Sequence, residues 1–171
     1  MNKEKIAIIV GGRDDEEMVS ESGMLGILEK LNISFEYSII SSDQNPEALR
    51  KYCSESWEVG IKIFICIAGL VPALPGAVKA LLPLANVISV PLTSADYNAN
   101  EIILASLSVP SKRPVIILGV NKSGLKKAAY CAAEILAHAN GKLQKRIQKF
   151  LDKETAKPFP RLKEFTYGEK K

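Results

Sequence analysis

Residues 61–69 read IKIFICIAG, the most apolar segment of the 171-residue chain. Only Lys62 interrupts the apolar side chains before Gly69 ends the run. A short run that is rich in β-branched residues and bounded by glycine predicts a strand buried on both faces. Such strands belong to parallel sheets that carry helices on both sides, so this segment predicts an α/β fold.

Four further segments have the same character and lie on either side of this strand. We predict strands over residues 5–11, 35–41, 87–92 and 114–120. Apolar residues at helical spacing predict helices between them, over about 14–31, 46–53, 75–82, 98–107 and 123–139. This alternation favours a doubly wound parallel sheet, a flavodoxin-like three-layer α/β/α fold with right-handed crossovers.

Short polar signals mark the ends of several predicted helices. Asp14 and Asp15 can cap the first helix, and Asn32 is placed to end it. Asn98 with Glu101 three residues later predicts a capping box. The pair at 140–141, Asn-Gly, is a typical helix stop.

The length of the chain predicts one compact domain with an added C-terminal segment. We assign residues 1–141 to the α/β domain, and residues 142–171 to an extra helix, reaching about residue 154, and an extended tail. That helix carries an apolar stripe formed by Leu143, Ile147, Phe150 and Leu151. The stripe predicts that the helix packs either on its own domain or on a neighbouring subunit.

Charge and cysteine content exclude several functional classes. The formal net charge is +4, and residues after 141 contribute ten basic and four acidic side chains. Because this region lacks an aromatic platform, a solvated helix face or subunit contact is favoured over nucleic-acid binding. Three widely spaced cysteines form no metal or redox motif. No apolar run reaches the roughly 18 residues that span a bilayer, and no signal-peptide pattern is visible, so we expect a cytoplasmic protein without membrane contact.

Candidate ligand-binding loops follow the predicted strands. In open parallel sheets, ligands bind in the crevice beyond the carboxyl ends of the strands. Residues 11–15, 41–46 and 68–76 lie there, with 91–98 and 109–114 on the same edge. The glycines at 11 and 12 could cradle a phosphate, but the four carboxylates of residues 14–17 would repel one. A plain helix cap therefore stays open as the alternative at this loop.

The order of these three loops resembles the carboxyaminoimidazole ribonucleotide mutase (PurE) family. That family shows strand-Gly-Ser-x-Ser-Asp, then strand-Ser-Ala-His-Arg-x-Pro, then strand-Ala-Gly with His-Leu-Pro-Gly a few residues later. Here the third block matches without a gap and ends at residues 74–76, Leu-Pro-Gly, and the similarity continues to about residue 154. The resemblance implies a pocket for a small nucleotide-like molecule, a homo-octamer, and neither a cofactor nor a metal. It implies the following substrate-binding residues: Gly11, Gly12, Asp14, Asp15, Ser41, Ser42, Gln44, Ala68, Gly69, Ala73, Leu74 and Pro75.

The chain departs from the family pattern where the chemistry is expected. Asp43 stands at the first histidine and Ala73 at the second, whereas Gln44 replaces an arginine or lysine. The family histidine shuttles protons while a carboxyl group moves on an aminoimidazole ribonucleotide, which requires a group titrating near neutrality. An ordinary aspartate titrates near pH 4. Asp43 is thus a weak candidate catalytic residue, and Gln44 cannot grip phosphate as a guanidinium does.

Three hypotheses for function follow from this pattern. The first is a divergent aminoimidazole ribonucleotide mutase or carboxylase, an isomerase or lyase that uses Asp43. The second is a non-catalytic nucleotide-binding or regulatory homologue with a degenerate site. The third is a carboxylase related to nickel-pincer cofactor synthesis, whose core also has Ala-Leu-Pro. The single histidine, His138, is predicted in the last turn of the fifth helix, far in sequence from all three loops.

Overall fold

A computed structural model describes residues 5–69, 73–95 and 98–155 and confirms the doubly wound α/β fold. Five parallel strands form one sheet in the order β2-β1-β3-β4-β5. The strands are β1 (Lys5–Val10), β2 (Ser34–Ile39), β3 (Ile63–Ala68), β4 (Asn86–Pro91) and β5 (Ile116–Ile117). The predicted tail beyond residue 155 lies outside the described residues.

Helices connect the strands and cover both faces of the sheet. They are α1 (Glu16–Ser22), α2 (Met24–Lys30), α3 (Pro46–Glu58), α4 (Ala73–Leu81), α5 (Ala99–Leu107), α6 (Asn121–Ala137) and α7 (Gly141–Thr155). The predicted capping box is present, because the side chains of Asn98 and Glu101 each bond the other's backbone N–H. None of the helices in the described part of the chain is long and apolar enough to cross a bilayer.

The sheet separates two apolar cores, as the alternating pleat of its strands requires. Ile8 and Ile65 point into the larger core with α1, α2, α6 and α7, whereas Ile9 and Phe64 point into the smaller core under α3 and α4. All six residues of β3 are buried. The apolar segment at residues 61–69 therefore contains the central strand, which is covered on both faces.

The predicted first helix is wrong in one respect, because the chain forms two helices there. Gly23 separates α1 from α2 and has φ +79°, a left-handed conformation that glycine adopts at little cost. A single turn of 3₁₀ helix, Arg13–Asp15, precedes α1. The buried residues Val19 and Leu28, on either side of the break at Gly23, both reach the larger core.

Several other boundaries differ from the sequence prediction, among them those of β5 and α7. The last strand contains two residues rather than seven, and its partners are Ile88 and Ser89 of β4. The Asn-Gly pair at 140–141 does more than end α6. Asn140 Oδ1 accepts the backbone N–H groups of Lys142 and Leu143 at 3.0 and 3.1 Å, so this side chain caps α7, and Gly141 already belongs to that helix.

Helix α7 packs on α6 through its apolar stripe. Leu143 is fully buried, and Ile147 is 8% exposed within the larger core. The ring of Phe150 lies 6.2 Å from that of Tyr130 on α6. Leu151, at the edge of the stripe, is 36% exposed. The described contacts of the stripe are therefore with the chain's own α/β domain.

Shortening two leucines of α7 tests this packing. Leu143→Ala is expected to lower stability by about 2–4 kcal/mol, because it leaves a cavity in the core. In a protein of this size that loss lowers Tm by roughly 5–15 °C. Leu151→Ala is the matched control, with an expected loss below about 1 kcal/mol. Equal losses, measured by thermal unfolding under identical conditions, would show that the stripe does not dock as described.

Candidate functional site

The carboxyl ends of β1 and β3 define the candidate site. Strands β2 and β3 lie on opposite sides of β1, so the chain reverses its direction of winding at this point. Loops that leave neighbouring strands in opposite directions open a crevice between them, where ligands of open α/β sheets bind. The loops after β1, β2 and β3 all reach this edge.

Gly11 brings two of these loops into contact. Its N–H donates to the carbonyl oxygen of Ile67 at 2.8 Å. A Cβ atom at Gly11 would lie 3.2 Å from the Cβ of Ala68, which is closer than most real contacts. On the other side of β1, the N–H of Ile40 donates to the carbonyl oxygen of Val10 at 2.9 Å. This hydrogen bond fixes the end of β2 at the same edge. Small residues at 11 and 68 thus allow the floor of the crevice to form.

Asp15 points across the crevice instead of capping a helix. It occupies the N-cap position of α1 but makes no capping hydrogen bond, which corrects the sequence expectation. Its carboxylate accepts the backbone N–H of Gly69, and its Oδ1 lies 3.7 Å from where a Cβ of Gly69 would be. Burial raises the pKa of Asp15; the Gly69 bond opposes this, and the nearby charge of Asp14 adds to it. Asp14, also predicted as a cap, is exposed and makes no capping hydrogen bond.

The loop after β2 is held by its own polar side chains. The Oγ of Ser41 accepts the N–H of Gln44 at 3.2 Å, and Asn45 caps α3 by accepting the N–H of Ala48 at 3.2 Å. Ser42 donates its hydroxyl to Oδ1 of Asp43 at 3.1 Å. Asp43 and Gln44 are both exposed. The carboxylate of Asp43 is therefore exposed to solvent and accepts a hydrogen bond from Ser42.

The third block divides between the crevice and the core. Ala68, 9% exposed, and half-buried Gly69 lie at the crevice edge. Ala73 is exposed at the first residue of α4. Leu74 and Pro75 are buried inside α4, where Leu74 belongs to the smaller core. Residues 70–72 of this block lie outside the described residues. Leu74 and Pro75 are therefore packing residues.

A polar pair at the β4 side of the crevice was not predicted from the sequence. Thr93 follows β4, and Asn121 begins α6 with φ +54°. Oδ1 of Asn121 accepts the backbone N–H of Thr93 at 2.9 Å, and its Nδ2 donates to the Thr93 hydroxyl at 2.8 Å. An asparagine two residues before the expected helix start at 123 was the available signal, because asparagine tolerates left-handed backbone.

His138 does not reach the crevice. It is exposed at the C-terminal end of α6, where its Nδ1 lies 2.9 Å from the carbonyl oxygen of Glu134. The helix begins at the crevice with Asn121 and runs for 17 residues, a length of about 25 Å. In the described part of the chain, no cluster of three or more His, Cys, Asp or Glu side chains is arranged to hold a metal ion.

Replacing Asp15 tests its unusual surroundings. Because its pKa is raised in the folded protein, the ionised carboxylate disfavours folding at pH values above its ordinary pKa of 3.8, and this penalty disappears below that value. Asp15→Asn keeps an acceptor for Gly69 and removes the charge. We expect a Tm about 1–2 °C above the parent at pH 7.5 and no such gain near pH 3.5. Asp43→Asn, at the same edge but exposed, should change Tm by less than about 1 °C at both pH values. A pH-independent effect of Asp15→Asn would contradict this account.

Known proteins resemble this chain both in sequence and in fold. The family profile for AIR carboxylase matches residues 5–157. The chain belongs to the AIR carboxylase family. It is 32% identical over 146 residues to the N5-carboxyaminoimidazole ribonucleotide mutase of Pyrococcus abyssi, covering 85% of this chain and 81% of that protein. The mutase of Bacillus subtilis is 31% identical over 144 residues, covering 83% and 86% of the two chains.

Solved structures show the same AIR carboxylase fold. A PurE2 variant from Treponema denticola superposes with a TM-score of 0.78 at 21% identity, covering 89% of this chain and 91% of that one. A second PurE structure from the same organism gives a TM-score of 0.73 at 20% identity. A phosphoribosylaminoimidazole carboxylase of Candida glabrata matches 90% of this chain with 26% of its own length. The AIR carboxylase unit therefore also occurs as part of a longer protein.

Proposed function

We propose that this chain binds a small nucleotide-like ligand in the crevice between β1 and β3 but lacks the histidine-dependent carboxyl transfer of its mutase relatives. Membership of the AIR carboxylase family supports the crevice and the ligand class. In this proposal the protein is a purine-biosynthesis homologue with altered or lost turnover, and it acts as a binding or regulatory protein.

The observation that carries the proposal is the environment of Asp43. A proton shuttle at neutral pH needs a group that titrates there and lies within hydrogen-bonding reach of the substrate. Asp43 is exposed, and Ser42 already donates a hydrogen bond to it. Ala73 offers only a methyl group, and the single histidine of the chain lies at the far end of α6. No imidazole is available to this crevice within one subunit.

Charge at the crevice supports a ligand that is less anionic than a ribonucleotide. Loops 11–17 and 41–46 contain one basic side chain, Arg13, and five carboxylates. Gln44 is exposed and supplies no positive charge where the family has a basic residue. A charge-assisted hydrogen bond to phosphate is roughly twice as strong as a hydrogen bond from a neutral donor. Because Gln44 can supply only the neutral kind, a phosphate group should add little to the affinity of a ligand here.

A parallel assay tests the proposal. The full chain and the Bacillus subtilis mutase are compared for conversion of N5-carboxyaminoimidazole ribonucleotide under identical conditions. We expect turnover by this chain to be lower by about 10²–10⁴-fold, the usual contribution of one acid–base group. Turnover within about tenfold of the relative would refute the catalytic part of the proposal.

Titration calorimetry with two ligands tests the binding part. Aminoimidazole ribonucleotide and its riboside differ only in the phosphate. We expect the two Kd values of this chain to lie within about tenfold of each other, a difference below about 1.4 kcal/mol. A ribonucleotide preference of 100-fold or more would show that the phosphate grip is intact, and binding of neither ligand would refute the nucleotide-like class.

A further inference from the structure

Thr93 and Asn121 are joined by three hydrogen-bond contacts. Oδ1 of Asn121 accepts both the backbone N–H of Thr93, at 2.9 Å, and its hydroxyl, at 3.2 Å. Nδ2 of Asn121 also lies 2.8 Å from the same hydroxyl. Both residues are half-buried, so these bonds are partly shielded from water. One side chain thus satisfies the backbone and the side chain of a single residue 28 positions away.

The side chain of Asn121 is used for this contact and not for its own helix. Its φ of +54° lies in the left-handed region, which asparagine adopts more readily than most other non-glycine residues. The side chain does not cap α6, because the N-cap residue is Val120 and makes no side-chain capping bond. Because the Asn121 side chain does not cap α6, its hydrogen bonds serve to hold Thr93.

The helix start that carries Asn121 is firmly seated. A Cβ atom on Gly124 would lie 2.5 Å from the carbonyl oxygen of Gly119 and 3.0 Å from Cγ1 of Val90. The first turn of α6 therefore rests directly on β4 and on the preceding turn, with no room between them. Asn121 therefore lies on a helix turn that is held against β4, and its side chain holds Thr93 in place.

The segment that Thr93 belongs to forms one wall of the crevice. The N–H of Leu92 donates to the carbonyl oxygen of Ala68 at 2.9 Å. The carbonyl oxygen of Leu92 lies 3.5 Å from where a Cβ of Gly69 would be, and Oδ1 of Asp15 lies 3.7 Å from the same point. Gly69 is thus close both to Asp15 and to the backbone of Leu92, which is joined directly to Thr93.

We propose that Thr93 and Asn121 are a positioning pair that sets the width of the crevice at Gly69 and thereby its affinity for ligand. The pair does not touch the reacting atoms; it fixes the backbone wall that faces Asp15. The affinity part of this inference rests on the proposed function, whereas the part about the wall does not. In enzymes, a misplacement of 1 Å can cost about 100-fold in rate, so a small shift of this wall is expected to have a measurable effect.

Two variants separate positioning from general stability. Asn121→Gly adopts the left-handed backbone freely and removes all three contacts, whereas Thr93→Ser retains the N–H and the hydroxyl and is the matched control. Hydrogen exchange at residue resolution is measured on the full chain of each. We expect the Gly69 amide, which Asp15 holds, to exchange about tenfold faster in Asn121→Gly and at the parental rate in Thr93→Ser. Faster exchange confined to Thr93 would overturn the proposal.

Ligand titration completes the test. With aminoimidazole riboside, Asn121→Gly should raise Kd by about tenfold or more, and Thr93→Ser by less than about twofold. An unchanged Kd in Asn121→Gly would overturn the affinity part. If the parent binds neither riboside nor ribonucleotide, the proposed function and the affinity part fail together, while exchange at Gly69 still decides whether the pair sets the wall.

Discussion

The Asp43→His/Ala73→His double variant is expected to convert N5-carboxyaminoimidazole ribonucleotide at least about 100-fold faster than the parent chain. Position 43 lies after β2 and position 73 begins α4 after β3, so the two histidines would follow the strands on either side of β1. An imidazole titrates near neutrality and can both accept and donate a proton at the working pH. Steady-state turnover with saturating substrate measures the gain.

Controls show whether the gain comes from acid–base chemistry. Asp43→Asn removes the carboxylate without adding an imidazole and is expected to leave the residual activity of the parent unchanged. A large loss of turnover in Asp43→Asn would identify Asp43 as the working base and contradict the proposed function.

Gln44→Arg should tighten ribonucleotide binding and leave riboside binding unaltered, because the added guanidinium would contact only the phosphate. No gain in the double variant would show that more than the two histidines separates this chain from its relatives.

Gly124→Ala is expected to destabilise the protein by about 2–4 kcal/mol, an effect at the upper end for a single added methyl group. The new Cβ would meet backbone atoms of Gly119 at 2.5 and 2.7 Å, and backbone cannot rotate aside as a flexible side chain can. Relief requires the first turn of α6 to move away from β4. Denaturant titration should show a lower midpoint, with an unchanged slope if the folded state remains compact.

Gly26 provides the matched control for that substitution. It lies inside α2, and a Cβ there would meet nothing within 4 Å outside its own helix. Gly26→Ala is therefore expected to stabilise the protein by about 0.5–1 kcal/mol, because alanine loses less backbone entropy in a helix. The two variants add the same methyl group, so opposite signs would isolate the close contact at Gly119 as the cause. Destabilisation of similar size in both would remove that explanation.

Features that depend on local pattern were predictable from the sequence. The apolar run at 61–69 indicated a doubly buried strand, and β3 is one. The spacing of Asn98 and Glu101 indicated a capping box, and both of its bonds are present. The break at Gly23 was not visible in the pattern, because apolar residues keep helical spacing on both sides of it. The short β5 was also missed, since the apolar residues around it suit an extended segment whether or not it pairs.

Contacts across loops were harder to predict. Asp15 has the sequence signature of a helix cap, and only the approach of β1 and β3 reveals that it bonds the N–H of Gly69. Thr93 and Asn121 are separated by 28 residues, and nothing in either local sequence indicates the other. The arrangement of the crevice depends on such long-range pairs, so the sequence could predict which loops meet there but not how their side chains are used.

The unequal edges of the sheet have a consequence for self-association during folding and storage. An exposed edge strand presents unpaired backbone groups on which another extended chain can add. Strand β5 has only two residues, which is too short for another strand to form a stable ladder on it. Strand β2 pairs with β1 along six residues, and its outer side has no strand partner within the described chain. If partly folded copies aggregate, β2 is the edge through which strand addition would begin, and a proline there would be the most direct way to suppress it.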